Sequence, residues 1–304
     1  MTIFKRTLAI LIILAAASAQ AATLVLKRAW IENFKDRATI DASFLVDRAH
    51  KQANAAKDDG DMHVAGRAPK EIGLPMVAEI MNAREETGAV KLIHDNEGKA
   101  QSTQVSGAWR VWFEHPPSTG SQIQFATVPP AANTNPDHCF EIHPVTKVGS
   151  IDLAKTLRHI EGFTPKDPDK AFAHYEGLSV TLKATTSAVT LSSTKSGFNY
   201  VRFVLRATSK RTNLKDGGFA LTADVGEENG DEDEILARNV RMIFVPGSPP
   251  WMKVQQGLQI GDEMDVVGIP RVNLNAISKV IGSLGASTVT RKLPYEMIIV
   301  SLEK

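Results

Sequence analysis

The sequence predicts a mainly β protein that consists of two small β-barrels in tandem with few short helices. The first observation behind this prediction is that most apolar segments are short and alternate with polar residues, as strands with one buried face do. The second is that clusters of glycine, proline and aspartate separate these segments. The third is that three sequence signals recur in the same order in the two halves of the 304-residue chain.

The N-terminus has the parts of a secretory signal peptide. Lys5 and Arg6 come first, an apolar run from residue 8 to residue 17 follows, and small residues come after it. The apolar run is too short to cross a bilayer. Residues 1–21 are therefore predicted to be a signal peptide, cleaved after residue 19 or 21. The mature protein is predicted to be exported to the periplasm or the extracellular space, with no transmembrane segment remaining.

The segment GAWRVWFEH shows the strand pattern most clearly. Trp109, Val111 and Phe113 would lie on one face, and Arg110 and Trp112 on the other, which predicts a half-buried strand. Helices are predicted only for IDLAKTLRHI and after Asp167-Pro168, where the proline favours a helix start. Further strands are predicted in TLVLKRAWI, DMHVAGR, PMVAEIM, LSVTLKA, FNYVRFVLRA, FALTADV, VRMIFV, MDVVGI and YEMIIVSL.

Three signals of the first half recur in the second half. TLVLK near the start matches SVTLK, VSGAWRV matches VVGIPRV, and FEIHPVT matches YEMIIVS. Because the three matches occur in the same order, a duplicated domain is predicted, with about five strands in each copy. The proline- and charge-rich segment from residue 161 to residue 170 marks the boundary. It divides the chain into a first domain of residues 22–163 and a second of residues 164–304.

A glycine stands inside the V-x-G-x-x-R-V motif of both halves, at Gly107 and Gly268. Glycine within a strand is typical of a β-bulge or tight bend, which small barrels use to turn corners. The predicted strand number per copy fits a barrel of the oligonucleotide/oligosaccharide-binding (OB) type. A β-sandwich is the main alternative.

Composition excludes several classes of protein. A net charge of +1 provides no global field for nucleic acid or anionic membranes. Cys139 is the only cysteine, so no intrachain disulfide can form, and its predicted role is that of a buried, inert side chain. The sequence has no phosphate-binding loop, dinucleotide-binding glycine pattern or G-x-S-x-G nucleophile motif.

Two polar clusters offer metal ligands. Asp61 and His63 stand two residues apart at the start of one predicted strand, and Glu141 and His143 do the same on another, so each pair shares a strand face. Glu79 interrupts a third apolar segment. If these strands are neighbours, the five side chains would converge on a divalent metal such as zinc, which would activate a water for hydrolysis.

The alternative role of Glu141 is structural. Arg110 and Glu141 recur at matching positions of the second half as Arg271 and Glu296, so an ion pair in each half would explain both motifs. His143 would then be the better candidate for function. Arg110 and Trp112 share a strand face, and together they offer a stacking platform for a ligand.

The polar motifs also resemble those of a known group of proteins. D-G-D-x-H at residues 59–63, A-E-I at residues 78–80 and E-I-H-P-V at residues 141–145 are similar to segments of uncharacterised secreted bacterial proteins. Those proteins carry a D-x-H strand, an A-E-I strand and an E-[IL]-H-P-V strand in this order. The resemblance covers residues 58–148 and does not extend to the second half. It implies a shared architecture and no particular reaction.

Two hypotheses about function follow. The first is a non-catalytic binding or structural protein of the cell envelope, without a cofactor, whose small-molecule, saccharide or protein ligand occupies a groove of the first barrel. The second is a metal-dependent hydrolase, acting for example on phosphodiesters, with Asp61, His63, Glu79, Glu141 and His143 around the ion.

Overall fold

The computed structural model describes residues 21–227, 235–284 and 287–303. The predicted signal peptide lies outside these residues, apart from Ala21. The helices are α1 (Arg28–Phe34), α2 (Thr87–Asn96), α3 (Pro168–Gly177), α4 (Pro249–Gly257) and α5 (Leu274–Leu284). The strands are β1 (Ala22–Lys27), β2 (Thr39–Ala49), β3 (Met62–Arg67), β4 (Met76–Ile80), β5 (Thr103–His115), β6 (Ser121–Ile123), β7 (His138–Val148), β8 (Ile151–Asp152), β9 (Ser179–Ala184), β10 (Ala188–Ser193), β11 (Val201–Ala207), β12 (Thr212–Asn213), β13 (Phe219–Gly226), β14 (Ile235–Phe244), β15 (Glu263–Val272), β16 (Thr288–Lys292) and β17 (Tyr295–Leu302).

The first half forms a closed barrel of five strands. The order around the barrel is β2-β3-β4-β7-β5, and β5 pairs with β2 to close it. All of these pairs are antiparallel except β4 with β7, which is parallel. Helix α2 connects the third barrel strand, β4, to the fourth, β5.

The second half repeats this barrel strand for strand. Its order is β11-β13-β14-β17-β15, with β15 pairing back to β11 and one parallel pair, β14 with β17. Helix α4 again connects the third barrel strand to the fourth. The motif V-x-G-x-x-R-V lies on the fourth strand of each barrel, and the aromatic-Glu motif lies on the fifth. The prediction of two tandem small barrels is therefore confirmed.

The motif glycines mark bulges, as predicted. The pairing of β5 with β7 shifts register beside Gly107, and the pairing of β15 with β17 shifts beside Gly268. A Cβ atom at Gly107 would lie 2.4 Å from the carbonyl oxygen of Pro144, on the neighbouring strand. Only glycine lets the two backbones approach so closely at this bulge.

A third sheet joins the two halves and was not predicted. Its order is β16-β9-β10-β1-β6, so the first strand of the chain pairs with β10 of the second half. The segments TLVLK and SVTLK therefore belong to this shared sheet and not to the barrels. Their similarity was one of the three matches from which a duplicated domain was predicted. Both are instead strands with one face in the core, which gives them the same alternating pattern.

The barrels pack on each other through β5 and β15, and the contact is reciprocal. Arg110 donates from Nε to the carbonyl oxygen of Pro270 at 2.8 Å. Arg271 donates from Nη1 to the carbonyl oxygen of Trp109 at 2.9 Å. Its guanidinium group also lies 3.5 Å from the centroid of the Trp109 ring. Each motif arginine thus binds the residue that precedes the other, as in a two-fold symmetric interface.

This packing corrects the prediction that β5 is half-buried. Arg110 and Trp112, expected on a solvent-facing side, are both buried, because the second half covers that face of the first barrel. On β7 every residue except Lys147 is buried. Alternation in the sequence distinguishes the two faces of a strand, but it does not reveal whether a second domain covers the polar one.

The helix predictions are partly correct. Helix α3 begins at Pro168, and the side chain of Asp167 accepts a hydrogen bond from the backbone N–H of Lys170, as an N-cap residue does. The segment IDLAKTLRHI is not an α-helix and contains only a short strand and one 3₁₀ turn. TLVLKRAWI changes from strand to helix after Lys27. No helix in the described part of the chain has the length and apolar character needed to cross a membrane.

Candidate functional site

Three neighbouring strands of the first barrel bring the predicted metal ligands together. In β3 and β4, His63 is paired with Glu79, and the neighbouring strand β7 carries Glu141 and His143. Asp61 stands one residue before β3. All five side chains predicted from the sequence therefore lie in one cluster, which we call the polar cluster.

His143 is at the centre of the polar cluster. Its Nδ1 lies 3.2 Å from Glu79 Oε2 and 3.3 Å from Glu141 Oε2. Its Nε2 lies 3.6 Å from Asp61 Oδ2. His63 is at the edge, with Nε2 at 3.7 Å from Glu79 Oε2. One potential ligand atom from each of Asp61, Glu79 and His143 fits within a distance of 4.8 Å.

The second half closes the polar cluster. The hydroxyl group of Tyr200 donates a hydrogen bond to Asp61 Oδ2, and its oxygen lies 2.6 Å from His143 Nε2. Phe163 packs edge-on against the Tyr200 ring at 5.5 Å between centroids. Asp61, His143 and Tyr200 are buried, and the side chain of His63 keeps 13% exposure. The cluster is therefore an enclosed site between the halves.

Arg110 and Glu141 form the buried ion pair that the repeat predicted, and Arg271 and Glu296 form its counterpart at 2.6 Å. Arg110 also contacts Glu114 at 3.0 Å. Burial alone would raise the pKa of Glu141, but the charge of Arg110 and hydrogen bonds from the neighbouring histidines hold that pKa well below its usual range. Glu141 is thus mainly the ion-pair partner of Arg110, which makes it a weaker candidate for a metal ligand.

Asp61 and Glu79 have the opposite electrostatics. Burial raises the pKa of Asp61 well above its usual range, and the charge of Glu79 adds to this shift. Burial likewise raises the pKa of Glu79 to about 7. Neither carboxyl group forms an ion pair with a lysine or arginine within the described ranges. These two groups require a proton or a cation inside the protein to balance their charge.

The predicted stacking platform is not available to a ligand. Arg110 is held by Glu141, Glu114 and the carbonyl oxygen of Pro270, and Trp112 packs edge-on against Tyr175 at 5.8 Å between ring centroids. Both side chains are buried between the halves. His143, the third predicted ligand-binding residue, is buried in the polar cluster. None of the three is in contact with an open pocket among those found along the described residues.

An open concavity of 940 Å³ lies elsewhere on the first half, beside α1, and we call it the α1 groove. Trp30 and Phe34 stack there at 4.5 Å between ring centroids, and Trp30 Nε1 donates to the carbonyl oxygen of Glu71. The groove also includes Ser187, from the turn before β10. This groove was not predicted from the sequence. The i, i+4 spacing of Trp30 and Phe34 between basic residues was the signal that could have revealed it.

Phe125 forms part of the groove wall and is 44% exposed. Its backbone N–H donates to the carbonyl oxygen of Gly73 at 2.8 Å. Gly73 has a φ of +59°, and a Cβ atom there would come within 2.7 Å of the Phe125 backbone. This tight contact fixes the loop that holds the Phe125 ring at the groove.

The α1 groove has an excess of positive charge. Its basic side chains are Lys27, Arg28, Arg37 and Lys70, and none of them forms an ion pair within the part of the chain that the structure describes. Its acidic side chains are Glu32, Asp41 and Glu71. Glu32 is neutralised by Lys35 at 2.7 Å, so that four cations face two carboxylates. The Nε atom of Arg37 is buried and has no hydrogen-bond partner among the described residues.

Comparison with known proteins adds no family assignment. No protein-family model matches the chain, and a search of curated protein sequences finds no match either.

Proposed function

We propose that this chain is an exported, non-catalytic binding protein of the cell envelope that holds its ligand in the α1 groove. The observation that carries the proposal is the groove itself, an open site of 940 Å³ with aromatic walls and unpaired cations. Sites for small molecules in proteins have volumes of about 300–1,000 Å³ and combine apolar walls with a few polar groups. The charged and apolar N-terminal segment, which has the pattern of a signal peptide, supports the export part of the proposal.

The barrel topology supports an OB-type architecture as part of this proposal. Each barrel has five strands, with the third and fifth in a parallel pair and a helix between the third and fourth. A five-stranded Greek-key barrel is the arrangement of OB folds, which serve chiefly as binding modules. Fold alone does not define the ligand, so its chemistry has to come from the groove.

The groove lining favours a ligand with a flat apolar body and an anionic group. The half-buried ring of Phe34, backed by the buried Trp30, and the exposed ring of Phe125 offer apolar surface to a ligand. Lys70 and Arg37 line the groove and offer positive charge. An anionic aromatic molecule would satisfy both features, because its ring would replace water on the apolar walls and its charge would pair with the cations.

The hydrolase hypothesis receives less support. Its five residues do converge, but Asp61 and His143 are buried under Tyr200. A hydrolytic metal site needs an open coordination position that a substrate can reach. Enclosure of the cluster by the second half leaves no such access along the described residues, so we favour binding over catalysis.

Fluorescence titration with the anionic aromatic probe 8-anilinonaphthalene-1-sulfonate tests the proposal. The mature chain should bind one probe molecule with a dissociation constant on the order of 10 μM. Lys70→Glu should weaken binding about tenfold, since it replaces an attraction with a repulsion at short distance. Lys253→Glu, an exposed substitution on α4 of the second barrel, provides the matched control and should leave binding unchanged.

Equal affinity of the Lys70→Glu and Lys253→Glu variants would contradict the assignment to the α1 groove. Export has a separate test: the intact mass of the protein recovered from the cell envelope should lack the residues up to position 19 or 21. Recovery of envelope protein that still begins with Met1 would contradict export with cleavage.

A further inference from the structure

The polar cluster contains potential metal ligands that have no role in the proposed binding function. Two carboxylates and one imidazole, from Asp61, Glu79 and His143, place their ligand atoms within 4.8 Å of one another. Ligand atoms around a zinc ion at about 2.0–2.2 Å are separated by roughly 3–4 Å, so a small inward movement would bring all three onto one ion. We propose that these three residues hold one divalent transition-metal ion, of the zinc class, as a structural site inside the protein.

An independent observation points to a missing ligand. The Oδ1 atom of Asp61 is buried and has no hydrogen-bond partner among the described residues, while Oδ2 accepts from Tyr200. A carboxylate oxygen left unpaired in the interior costs free energy, and native proteins satisfy such atoms with a donor, a water or a cation. The side chain of Asp61 is fully buried, so bulk solvent does not fill this role.

Charge balance leads to the same conclusion. Asp61, Glu79 and Glu141 bring three carboxyl groups into the cluster, and Arg110 is the only permanent cation in contact with them among the residues that the structure describes. Arg110 is already shared between Glu141 and Glu114. A divalent cation would balance the charges of Asp61 and Glu79 together and would also use the imidazole between them.

The chemistry of the donors selects the ion. Oxygen and imidazole nitrogen ligands suit zinc and related first-row ions, whereas calcium and magnesium favour sites built of oxygen atoms alone. The lone Cys139 does not take part, because it packs in the hydrophobic core and its sulfur is not among the converging ligand atoms. The enclosure by Tyr200, which disfavours catalysis, suits a structural ion that stabilises the contact between the halves.

Measurement of zinc binding tests this inference. The mature chain, without an affinity tag, is unfolded with a chelator, refolded with and without zinc chloride, and analysed for metal by mass spectrometry. One zinc per chain is expected, with a melting temperature about 5 °C or more above that of the metal-free protein, because an ion that binds only the native state stabilises it. Cobalt loading should produce visible absorption bands from a low-symmetry site.

Variants locate the ion. Asp61→Asn keeps the size of the side chain and should weaken zinc binding at least 100-fold, as should His143→Gln. His174→Gln is the control, since His174 bonds to Ser196 away from the cluster. Folded wild-type protein that takes up no zinc and no cobalt would overturn the inference, as would unchanged binding in folded Asp61→Asn. If neither variant folds, the stoichiometry and cobalt spectrum of the wild type still decide.

These results are separable from the proposed binding function. Probe binding in the α1 groove depends on Lys70 and not on Asp61, so either proposal can fail while the other stands.

Discussion

Removal of the Arg110 side chain should be among the most damaging single changes in the protein. In the Arg110→Met variant, Glu141 stays buried but loses its ion pair with a permanent cation. His138 at 3.2 Å and His143 at 3.3 Å remain as its neighbours. Breaking a buried ion pair by removal of one partner costs about 3–5 kcal/mol, chiefly because the other charge remains uncompensated.

The assay is urea unfolding of the mature chain, followed by tryptophan fluorescence. The free energy of unfolding should fall by about 3–5 kcal/mol in Arg110→Met. The double variant Arg110→Met, Glu141→Gln should recover about 2 kcal/mol or more, because it removes the unpaired charge. Arg158→Met is the control, since Arg158 pairs with Glu85 on the surface with both side chains more than half exposed. It should cost less than about 1 kcal/mol.

If Arg110→Met cost no more than Arg158→Met, the ion pair between β5 and β7 would not contribute to stability as described. A double variant that is less stable than Arg110→Met by the full cost of Glu141→Gln would show that the two residues do not interact.

Three further predictions follow from the packing of the first half. Burial raises the pKa of the Cys139 thiol to about 12. At pH 8.5, alkylation of Cys139 should therefore be roughly 10³ times slower in the native protein than in urea, where the thiol is exposed. Equal alkylation rates in the two states would refute the burial of Cys139. Gly107→Ala should lower the free energy of unfolding by about 2 kcal/mol or more, because the added Cβ would meet the carbonyl oxygen of Pro144. Gly282→Ala, on the exposed side of α5, is the control and should be neutral or slightly stabilising. Similar losses in both variants would contradict the close approach at Gly107. Trypsin should cleave first near Lys166, in the linker between the barrels. The two fragments should elute together on size exclusion, because β1 remains paired with β10. Separation of the fragments without denaturant would contradict the shared sheet.

The sequence was most informative about elements that obey local rules. Period-2 alternation located the barrel strands apart from β2, which was not predicted, and the glycine inside each V-x-G-x-x-R-V motif indicated the bulge that the structure contains. The recurrence of arginine and glutamate predicted both buried ion pairs, since a pair on adjacent strands requires both partners to be kept together. These inferences depended on neighbouring strands and not on the arrangement of the halves.

The features that the sequence did not reveal depend on contacts between the halves. The pairing of β1 with β10 joins residues far apart in the chain, and no local pattern specifies it. Trp112 and His143 are buried because the second half covers a face of the first barrel whose sequence pattern is typical of a solvent-exposed face. Tyr200 was not predicted to be part of the site, because it contacts Asp61 only through the packing of the two halves.

The α1 groove was missed because a strand was predicted to continue through the segment that forms α1. The chain leaves the strand after Lys27, and the helical spacing then places Trp30 and Phe34 on the same side. The apolar alternation of TLVLK also ends at Lys27. A strand predicted to end there would have left Trp30 and Phe34 at helical spacing in the segment that follows.

The most direct test of the account is a map of where the ligand binds. Backbone amide chemical shifts of isotope-labelled mature protein, recorded as 8-anilinonaphthalene-1-sulfonate is added, report the binding site residue by residue. We expect the saturable changes to centre on α1, on Lys70 and on Phe125, with the amides of β3 and β7 around His63 and His143 unaffected. Changes centred on β3, β4 and β7, with none around α1, would contradict it and would show that the ligand site is the polar cluster.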